Sequence, residues 1–459
     1  MHRNTTPPHK NYKLDMTSGS ILGNLLKFSV PLILSSVLQL LFNAADIVVV
    51  GRFAGDNSLA AVGSTSSLIN LLVNLFIGLS IGTNVVAANF FGAGKKKELS
   101  DAIHTAMLLS VYSGLVLTAI GVPGAKYVLA LMQTPQDVLP LATIYLQIYF
   151  AGMVAMMIYN FGSAILRAKG DTKRPLYYLF FAGIINVILN LIFVIVFKMN
   201  VAGVALATVI SQIISAFLVV RCLMNETEEF RLALSKLKMD HYIFIKIVKI
   251  GVPAGLQGIV FSLSNVVIQS AINSFGAIIV AGNSAALNIE GFVYTAMNGF
   301  SQGILTFTSQ NLGAKKPERI RKAVPISLSC VLGIGLVMGW TVAFFGEFFL
   351  GLYTKSPQVV AAGINRLWII GMTYALCGTM DVTANAIRGL GHSLLPMVIT
   401  LVGACGIRLV WLATIFQIPE FHSPTAIYIS YPLSWSATFA ALIVAFVFFM
   451  KKSQAQSDF

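Results

Sequence analysis

The chain has 459 residues, of which 56% are hydrophobic and only 10% are charged. A soluble domain carries about 25% charged residues, so this composition excludes a soluble globular fold and indicates a polytopic membrane protein. The net charge of +14 does not indicate nucleic-acid binding, because no platform of interleaved aromatic and basic residues occurs.

Apolar segments long enough to cross a bilayer recur along the whole chain, since about 20 helical residues span the hydrocarbon core. The sequence therefore predicts an all-α protein with twelve membrane-spanning helices. Several of them are longer than a straight crossing needs, which indicates tilt, bending or extension beyond the bilayer. The predicted spans are 28–50, 58–91, 102–123, 138–163, 176–197, 201–222, 242–274, 277–312, 322–345, 358–386, 394–417 and 425–450.

Lys and Arg are unevenly divided between the two sides of these spans. Of the 31 such residues, 25 lie in or beside the two tails and the loops after even-numbered spans. Four lie in the loops after odd-numbered spans, and two lie inside spans. Because positively charged loops stay in the cytoplasm, both termini are predicted to be cytoplasmic, with the chain in the plasma membrane of a prokaryote. The six exceptions are Arg52, Lys126, Lys198 and Lys355 in loops, and Arg366 and Arg408 inside spans.

The two halves of the chain repeat each other at a nearly constant distance. An even number of helices per half gives both halves the same orientation, so we expect two six-helix bundles related by a pseudo-two-fold axis, with a central cavity between them. The predicted divisions are an N-terminal lobe at 1–222, a cytoplasmic linker at 223–241 and a C-terminal lobe at 242–459. Within the linker, residues 230–237 form either an amphipathic segment at the membrane surface or a plain solvated connection. Matching pairs are Val30 and Val252, Pro31 and Pro253, and Asn43 and Asn265, all 222 apart, and Gly78 and Gly299, Gly92 and Gly313, and Arg167 and Arg388, all 221 apart.

One carboxyl group lies on the polar face of the first span. Gln39, Asn43 and Asp46 stand at i, i+4 and i+7, which places them on one side of a helix. A carboxylate at membrane depth costs about 2.5–3.5 kcal/mol on insertion scales, so a chain that keeps one there generally uses it. We therefore interpret Asp46 as an ionisable switch.

Neutral amides on other spans have the same helical spacing. Asn186 and Asn190 are four residues apart, and Asn70 and Asn74 share a face of the second span. Two interpretations stay open, because such amides can solvate a carboxylate or coordinate a cation, or they can simply join helices. Inter-helix hydrogen bonds in membranes contribute about 0.6 kcal/mol each on average.

Several motifs resemble those of multidrug and toxic compound extrusion (MATE) transporters. They are YNFGSAILRAKGDTKRP at 159–175, AANFFGAGK at 87–95 with its partner SQNLGAK at 309–315, and GVALAT at 203–208. The first-span segment NAADIVVVG at 43–51 is similar to that of the DinF-type branch, and no glutamate occurs in the seventh span, where the NorM-like branch has one. The likeness covers nearly the whole chain.

This resemblance implies a V-shaped pair of lobes that exports organic cations in exchange for inward H⁺ or Na⁺. It also implies an ion site formed by Asp46, Asn186, Asn190 and Thr208. The chain departs from the family pattern at Asn190, where an aspartate is expected. A Na⁺ site with one carboxylate and neutral oxygens is chemically possible, but it binds more weakly, so a proton is at least as good a candidate.

The substrate cavity is predicted to contain polar side chains from both lobes. Glu290 is either a second proton or cation site or the counter-ion of Arg366 or Arg408. Asp381 is expected to form a structural pair, with Arg388 or with the end of a neighbouring helix, and Arg408 lies near the duplicate of the Asn186–Asn190 region. The predicted cavity residues are Gln39, Asn43, Asn70, Asn74, Asn160, Asn265, Gln269 and Glu290.

Three classes of function stay open for such a chain. The preferred one is an ion-coupled exporter of organic cations that acts as a monomer in contact with membrane lipids, with no cofactor beyond its coupling ion and no nucleic-acid partner. The alternative is a flippase for lipid-linked oligosaccharides or other lipids, which should carry several Arg or Lys side chains in its cavity. An intramembrane enzyme is not expected, since HExxH and paired catalytic acids on one helix do not occur in the sequence.

Overall fold

Helices make up nearly all of the structure. The computed structural model describes residues 14–226 and 229–457, except for the side chains of residues 56, 66, 67, 70, 71 and 452–457. Three π-helices, Ile192–Val196, Leu367–Gly371 and Leu401–Gly406, lie within or between the α-helices. The α-helices are α1 Ile21–Phe53, α2 Asp56–Gly92, α3 Lys96–Leu131, α4 Leu139–Ala151, α5 Met153–Ala168, α6 Lys173–Leu191, α7 Asn200–Met224, α8 His241–Asn273, α9 Ala277–Gly313, α10 Pro317–Phe344, α11 Gly346–Gly351, α12 Pro357–Arg366, α13 Ala375–Gly389, α14 Leu394–Thr400, α15 Ile407–Ala413 and α16 Pro424–Ser457.

The described residues contain the predicted number of membrane spans. Ten helical segments are each long and apolar enough to cross a bilayer, and two bent helix pairs add one crossing each. The first span is longer than its hydropathy indicated, because Ser20 caps α1 by accepting a hydrogen bond from the Gly23 N–H at 3.2 Å. The all-α, twelve-span prediction is therefore confirmed, with helices that extend beyond the apolar segments.

Equivalent features recur in both halves. The helix pair α4–α5 is bent by 48°, and its counterpart, Pro357–Gly371 with α13, is bent by 45°. Gly55 and Gly276, which precede α2 and α9, have φ values of 84° and 87°, a region that only glycine adopts at little cost. Bends and turns at matching positions are what a duplicated six-helix unit produces.

The lobes touch through a reciprocal contact between α2 and α9. A Cβ atom on Gly92 would lie 1.9 Å from the Gln310 carbonyl oxygen, and one on Gly313 would lie 2.0 Å from the Asn89 carbonyl oxygen. Gly92 matches Gly313 in the repeat and Asn89 matches Gln310, so the same contact is made twice about the pseudo-two-fold axis. Only residues without side chains allow the backbones to approach this closely.

A second glycine interface joins α2 to α8. A Cβ on Gly78 would lie 2.3 Å from the Gly255 nitrogen, and a Cβ on Gly82 would lie 2.3 Å from the Ile247 carbonyl oxygen. Gly251 faces Leu79 with a corresponding distance of 2.6 Å. The helices of the two lobes are thus in backbone contact along this line.

Replacing Gly78 by alanine should destabilise the protein by about 1–3 kcal/mol, because the added methyl group collides with backbone atoms that cannot rotate away. The free energy of unfolding in detergent measures this effect. Gly63, on the same helix, is the matched control, since a Cβ there meets no heavy atom within 4 Å. Gly63→Ala should be neutral or stabilising by up to about 1 kcal/mol. Equal stability of the two variants would contradict the contact.

The N-terminal segment 14–20 bridges the two lobes at the end of the molecule that carries the lysine-rich segments 95–97 and 315–322. The Arg319 guanidinium donates hydrogen bonds to the carbonyl oxygens of Met16, Ser18 and Gly19, each at 3.1 Å. Gln310 accepts from the Met16 N–H at 3.0 Å and donates to the Ala168 carbonyl at 2.8 Å. These bonds hold both lobes together at this end of the molecule.

The linker between α7 and α8 folds back onto the N-terminal lobe. Phe230 and Leu232 are buried, and Phe230 packs edge-on against Phe91 with ring centroids 5.3 Å apart. The Ala233 N–H donates to His104 Nε2 at 3.1 Å. The expectation of a plain solvated connection at 230–237 is wrong, because the hydrophobic side of this segment is covered by α2 and α3, while a position at the membrane surface stays a prediction. The proposed lobe boundaries themselves remain predictions.

Candidate functional site

Asp46 lies where α1, α6 and α7 meet. Asn190 Nδ2 of α6 donates a hydrogen bond to Asp46 Oδ1. When the Asn186 amide is oriented with its nitrogen toward the carboxylate, it donates to the same oxygen at 2.9 Å, and its own oxygen accepts from the Thr208 N–H at 3.3 Å. The structure therefore brings together all four residues of the implied ion site.

The groups around Asp46 are neutral and can change roles. Asn186 and Asn190 are buried, and each amide can present either an N–H donor or a carbonyl acceptor to the carboxyl group. Asn190 Oδ1 has no hydrogen-bond partner among the described residues. Thr208 contributes a hydroxyl that donates to the Val204 carbonyl at 3.0 Å. In the arrangement seen, the cluster can thus donate N–H groups to an ionised Asp46. After the amides turn, it can present carbonyl oxygens to a neutral carboxyl group instead.

Irregular helix geometry accompanies this cluster. The π-helix Ile192–Val196 begins two residues after Asn190. Of the other two, one begins directly after Arg366 and one ends two residues before Arg408. Such π segments frequently occur at functional sites, because they rotate the following side chains out of register. Sequence periodicity could not reveal them, since it assumes a regular helix.

A separate cavity of about 1000 Å³ is lined mainly by the C-terminal lobe. Three of the predicted cavity residues, Asn265, Gln269 and Glu290, line it. The other predicted residues with described side chains, Gln39, Asn43, Asn74 and Asn160, are not among its lining residues, and the Asn70 side chain lies outside the described residues. The charged residues of the lining are Glu290, Arg366, Asp381, Arg388 and Arg408.

Glu290 and Arg366 form a buried two-pronged ion pair. Arg366 Nε and Nη2 donate to the two Glu290 carboxylate oxygens at 2.9 and 2.8 Å, and both residues are only 2% exposed. Arg366 Nη1 also donates to Asn283 Oδ1 at 2.9 Å. Of the two interpretations of Glu290, this geometry fits the counter-ion, because both of its oxygens are occupied by one guanidinium.

Asp381 and Arg388 face the same cavity without a direct ion pair. Asp381 lies beside the Tyr294 hydroxyl and within electrostatic range of Arg388. Arg388 donates instead to Asn385 Oδ1 at 2.8 Å and to Gln257 Oε1. The expected structural pair with Asp381 is therefore replaced by amide partners. Gln257 was not predicted as a cavity residue, and it lines the cavity beside Arg388, from which it accepts a hydrogen bond.

Comparison with known proteins identifies the family. A sequence model of the MatE family matches residues 31–192 and 253–413, which correspond to the two halves of the repeat. The chain belongs to the MatE family. It is thus a multi-pass membrane transporter and not an enzyme.

Its relatives cover almost the whole chain. The probable multidrug resistance protein YpnP of Bacillus subtilis is 28% identical over 84% of this chain and 87% of its own length. The probable multidrug resistance protein YoeA of the same species is 26% identical over 95% of both chains. A solved structure of a multidrug resistance MATE family transporter of the MOP superfamily superposes with a TM-score of 0.89 and 21% identity, covering 96% of this chain and 98% of that chain. This structural likeness confirms the MATE fold, while membership of the DinF-type branch stays a prediction.

Proposed function

We propose that this MatE-family transporter exports organic cations in exchange for an ion that binds at Asp46. The names of YpnP and YoeA, which refer to multidrug resistance, support small-molecule export. The observation that carries the proposal is the cluster at α1, α6 and α7, where a single carboxyl group is surrounded by two rotatable amides and a hydroxyl. Neighbours of this kind let the carboxyl group of Asp46 lose and regain its charge while it keeps a hydrogen-bond partner.

Asp46 would act as the switch by holding either the coupling ion or a negative charge. When Asp46 is ionised, it attracts a cationic substrate and accepts the amide N–H groups of Asn186 and Asn190. When it is neutralised, the attraction is lost and the amides can turn, so that Asn190 Oδ1 accepts from the carboxyl group. Ion and substrate then favour different conformations, which is sufficient for antiport without ATP.

A proton suits this cluster better than Na⁺ does. The amide nitrogens of Asn190 and Asn186 face the carboxylate, whereas a hard cation needs several oxygens directed at one point. Asn190 also supplies no second negative charge. Because the lobes are joined at the end that carries 95–97 and 315–322, the predicted cytoplasmic location of those loops would leave the cavity open to the outside.

Dye efflux from proteoliposomes tests the proposal. Wild-type protein is reconstituted with ethidium, and a pH gradient or a Na⁺ gradient is imposed, each alone. We expect the pH gradient to drive ethidium movement at least tenfold above the rate without a gradient, with little effect of Na⁺. Movement driven by Na⁺ alone would refute proton coupling, and no gradient-dependent movement would refute ion-coupled cation export.

The flippase alternative gains one observation, since three arginines line the C-terminal cavity. Arg366 is neutralised by Glu290, however, and Asp381 lies near Arg388, so only one positive charge remains in excess. A lipid pyrophosphate would require more. A fluorescent lipid-translocation assay on the same proteoliposomes separates the two functions, and we expect no lipid translocation.

A further inference from the structure

Arg408 is the one cation of the C-terminal cavity lining that has no acidic neighbour. Its Nε donates to Ser434 Oγ at 2.8 Å, and its Nη2 has no hydrogen-bond partner among the described residues. The residue is only 3% exposed and lines the cavity. Within the described part of the chain, no carboxylate lies within 4.0 Å of its guanidinium nitrogens. A buried positive charge thus lies in the wall of an open volume.

The other charges of the cavity do not compensate for it. Glu290 is engaged by Arg366 through both oxygens, and Asp381 lies near Arg388. An unpaired charge inside a membrane protein is costly, and chains keep one chiefly where it binds something or faces water in a cavity. Apart from Ser434, the described residues offer Arg408 only aromatic faces, with the Tyr431 ring centroid 3.9 Å and the Trp435 ring centroid 5.3 Å from Cζ.

These rings belong to an aromatic wall beside the guanidinium. Trp435 packs edge-on against Tyr431 and Tyr374, with centroid distances of 5.6 and 5.5 Å, and all three line the cavity. The Tyr431 ring lies against the Arg408 guanidinium, and Nη2 is buried in the cavity wall as a donor without a partner among the described residues. A planar guanidinium held in this way matches the two oxygens of a carboxylate or a phosphate.

We propose that Arg408 is the anchor of an anion-binding site in the C-terminal lobe, which takes an organic anion with a carboxylate or phosphate group and an aromatic or apolar body. The anionic group would bind at Arg408, and the body would lie along Tyr374, Tyr431 and Trp435. The site is separate from the Asp46 cluster and does not depend on ion-coupled cation export. Its ligand is either a soluble organic anion or the headgroup of an anionic lipid.

Calorimetric titration of the purified full-length protein in detergent tests the site. The probes are 2-naphthoate, 2-naphthyl phosphate and the uncharged, nearly isosteric 2-naphthamide. Wild-type protein should bind at least one of the two anions at least tenfold more tightly than the amide. Arg408→Gln should remove this preference, whereas Arg221→Gln, at an exposed position, should retain it. No preference for anions in the wild type, or an unchanged preference in Arg408→Gln, would overturn the proposal.

Two further arms complete the test. If Arg408→Gln does not fold, Arg408→Lys keeps the charge but lacks the planar fork, so it should weaken naphthoate binding severalfold, and unchanged binding would count against the site.

Displacement of naphthoate by phosphatidylglycerol but not phosphatidylcholine would support a lipid headgroup, and displacement by neither would support a soluble anion. Asp46→Asn should bind naphthoate normally, which keeps this outcome distinct from any failure of transport.

Discussion

Asp46→Asn should reduce gradient-driven ethidium movement at least tenfold in proteoliposomes. Asparagine has nearly the shape of aspartate, so the contact region of α1, α6 and α7 is kept while the group can no longer gain and lose a charge. Asn190 and Asn186 now donate to an amide oxygen instead of a carboxylate. Coupling of ethidium movement to the pH gradient is lost because residue 46 can no longer alternate between a charged and a neutral form.

The control for this substitution is Asp137→Asn, which changes an exposed acid in the turn before α4. It should move ethidium at the wild-type rate. Size-exclusion chromatography and the free energy of unfolding establish that both variants are folded. If Asp46→Asn moves ethidium as fast as Asp137→Asn under the same pH gradient, Asp46 is not the coupling residue.

Glu290→Gln should cost about 3–5 kcal/mol of stability, because it leaves the buried Arg366 guanidinium without its negative partner. Glutamine can accept one hydrogen bond from Arg366 but cannot balance its charge. The measurement is the free energy of unfolding in detergent. Glu347→Gln, at an exposed position in α11, is the matched control and should change stability by less than about 0.5 kcal/mol.

The double variant Glu290→Met/Arg366→Met separates a structural pair from a functional acid. Two apolar side chains of similar length remove both charges, and such replacements of buried ion pairs are often neutral or stabilising. We therefore expect the double variant to regain most of the lost stability. A Glu290→Gln protein that is as stable as the wild type would mean that Glu290 already carries a proton and serves another purpose.

The sequence alone determined the class of the protein, its twelve spans and its internal repeat. The bilayer imposes a minimum apolar length and an asymmetric distribution of Lys and Arg, so composition and hydropathy carry these features directly. Helical periodicity also placed Asp46 on a polar face and Asn186 and Asn190 on one side of α6. These are properties of single helices and need no knowledge of their neighbours.

The tertiary structure decided which of those faces meet. Asp46 and Asn190 are 144 positions apart, and only the resemblance to a family implied their contact. Arg366 and Arg408 were equal candidates to pair with Glu290, and the packing of α9 against α12 selected Arg366 while leaving Arg408 to the cavity. Periodicity fixes where a side chain lies on its own helix, but its partner depends on how closely the helices approach. Between α9 and α12 that approach is close because a Cβ on Gly282 would lie only 2.7 Å from the Gly363 nitrogen.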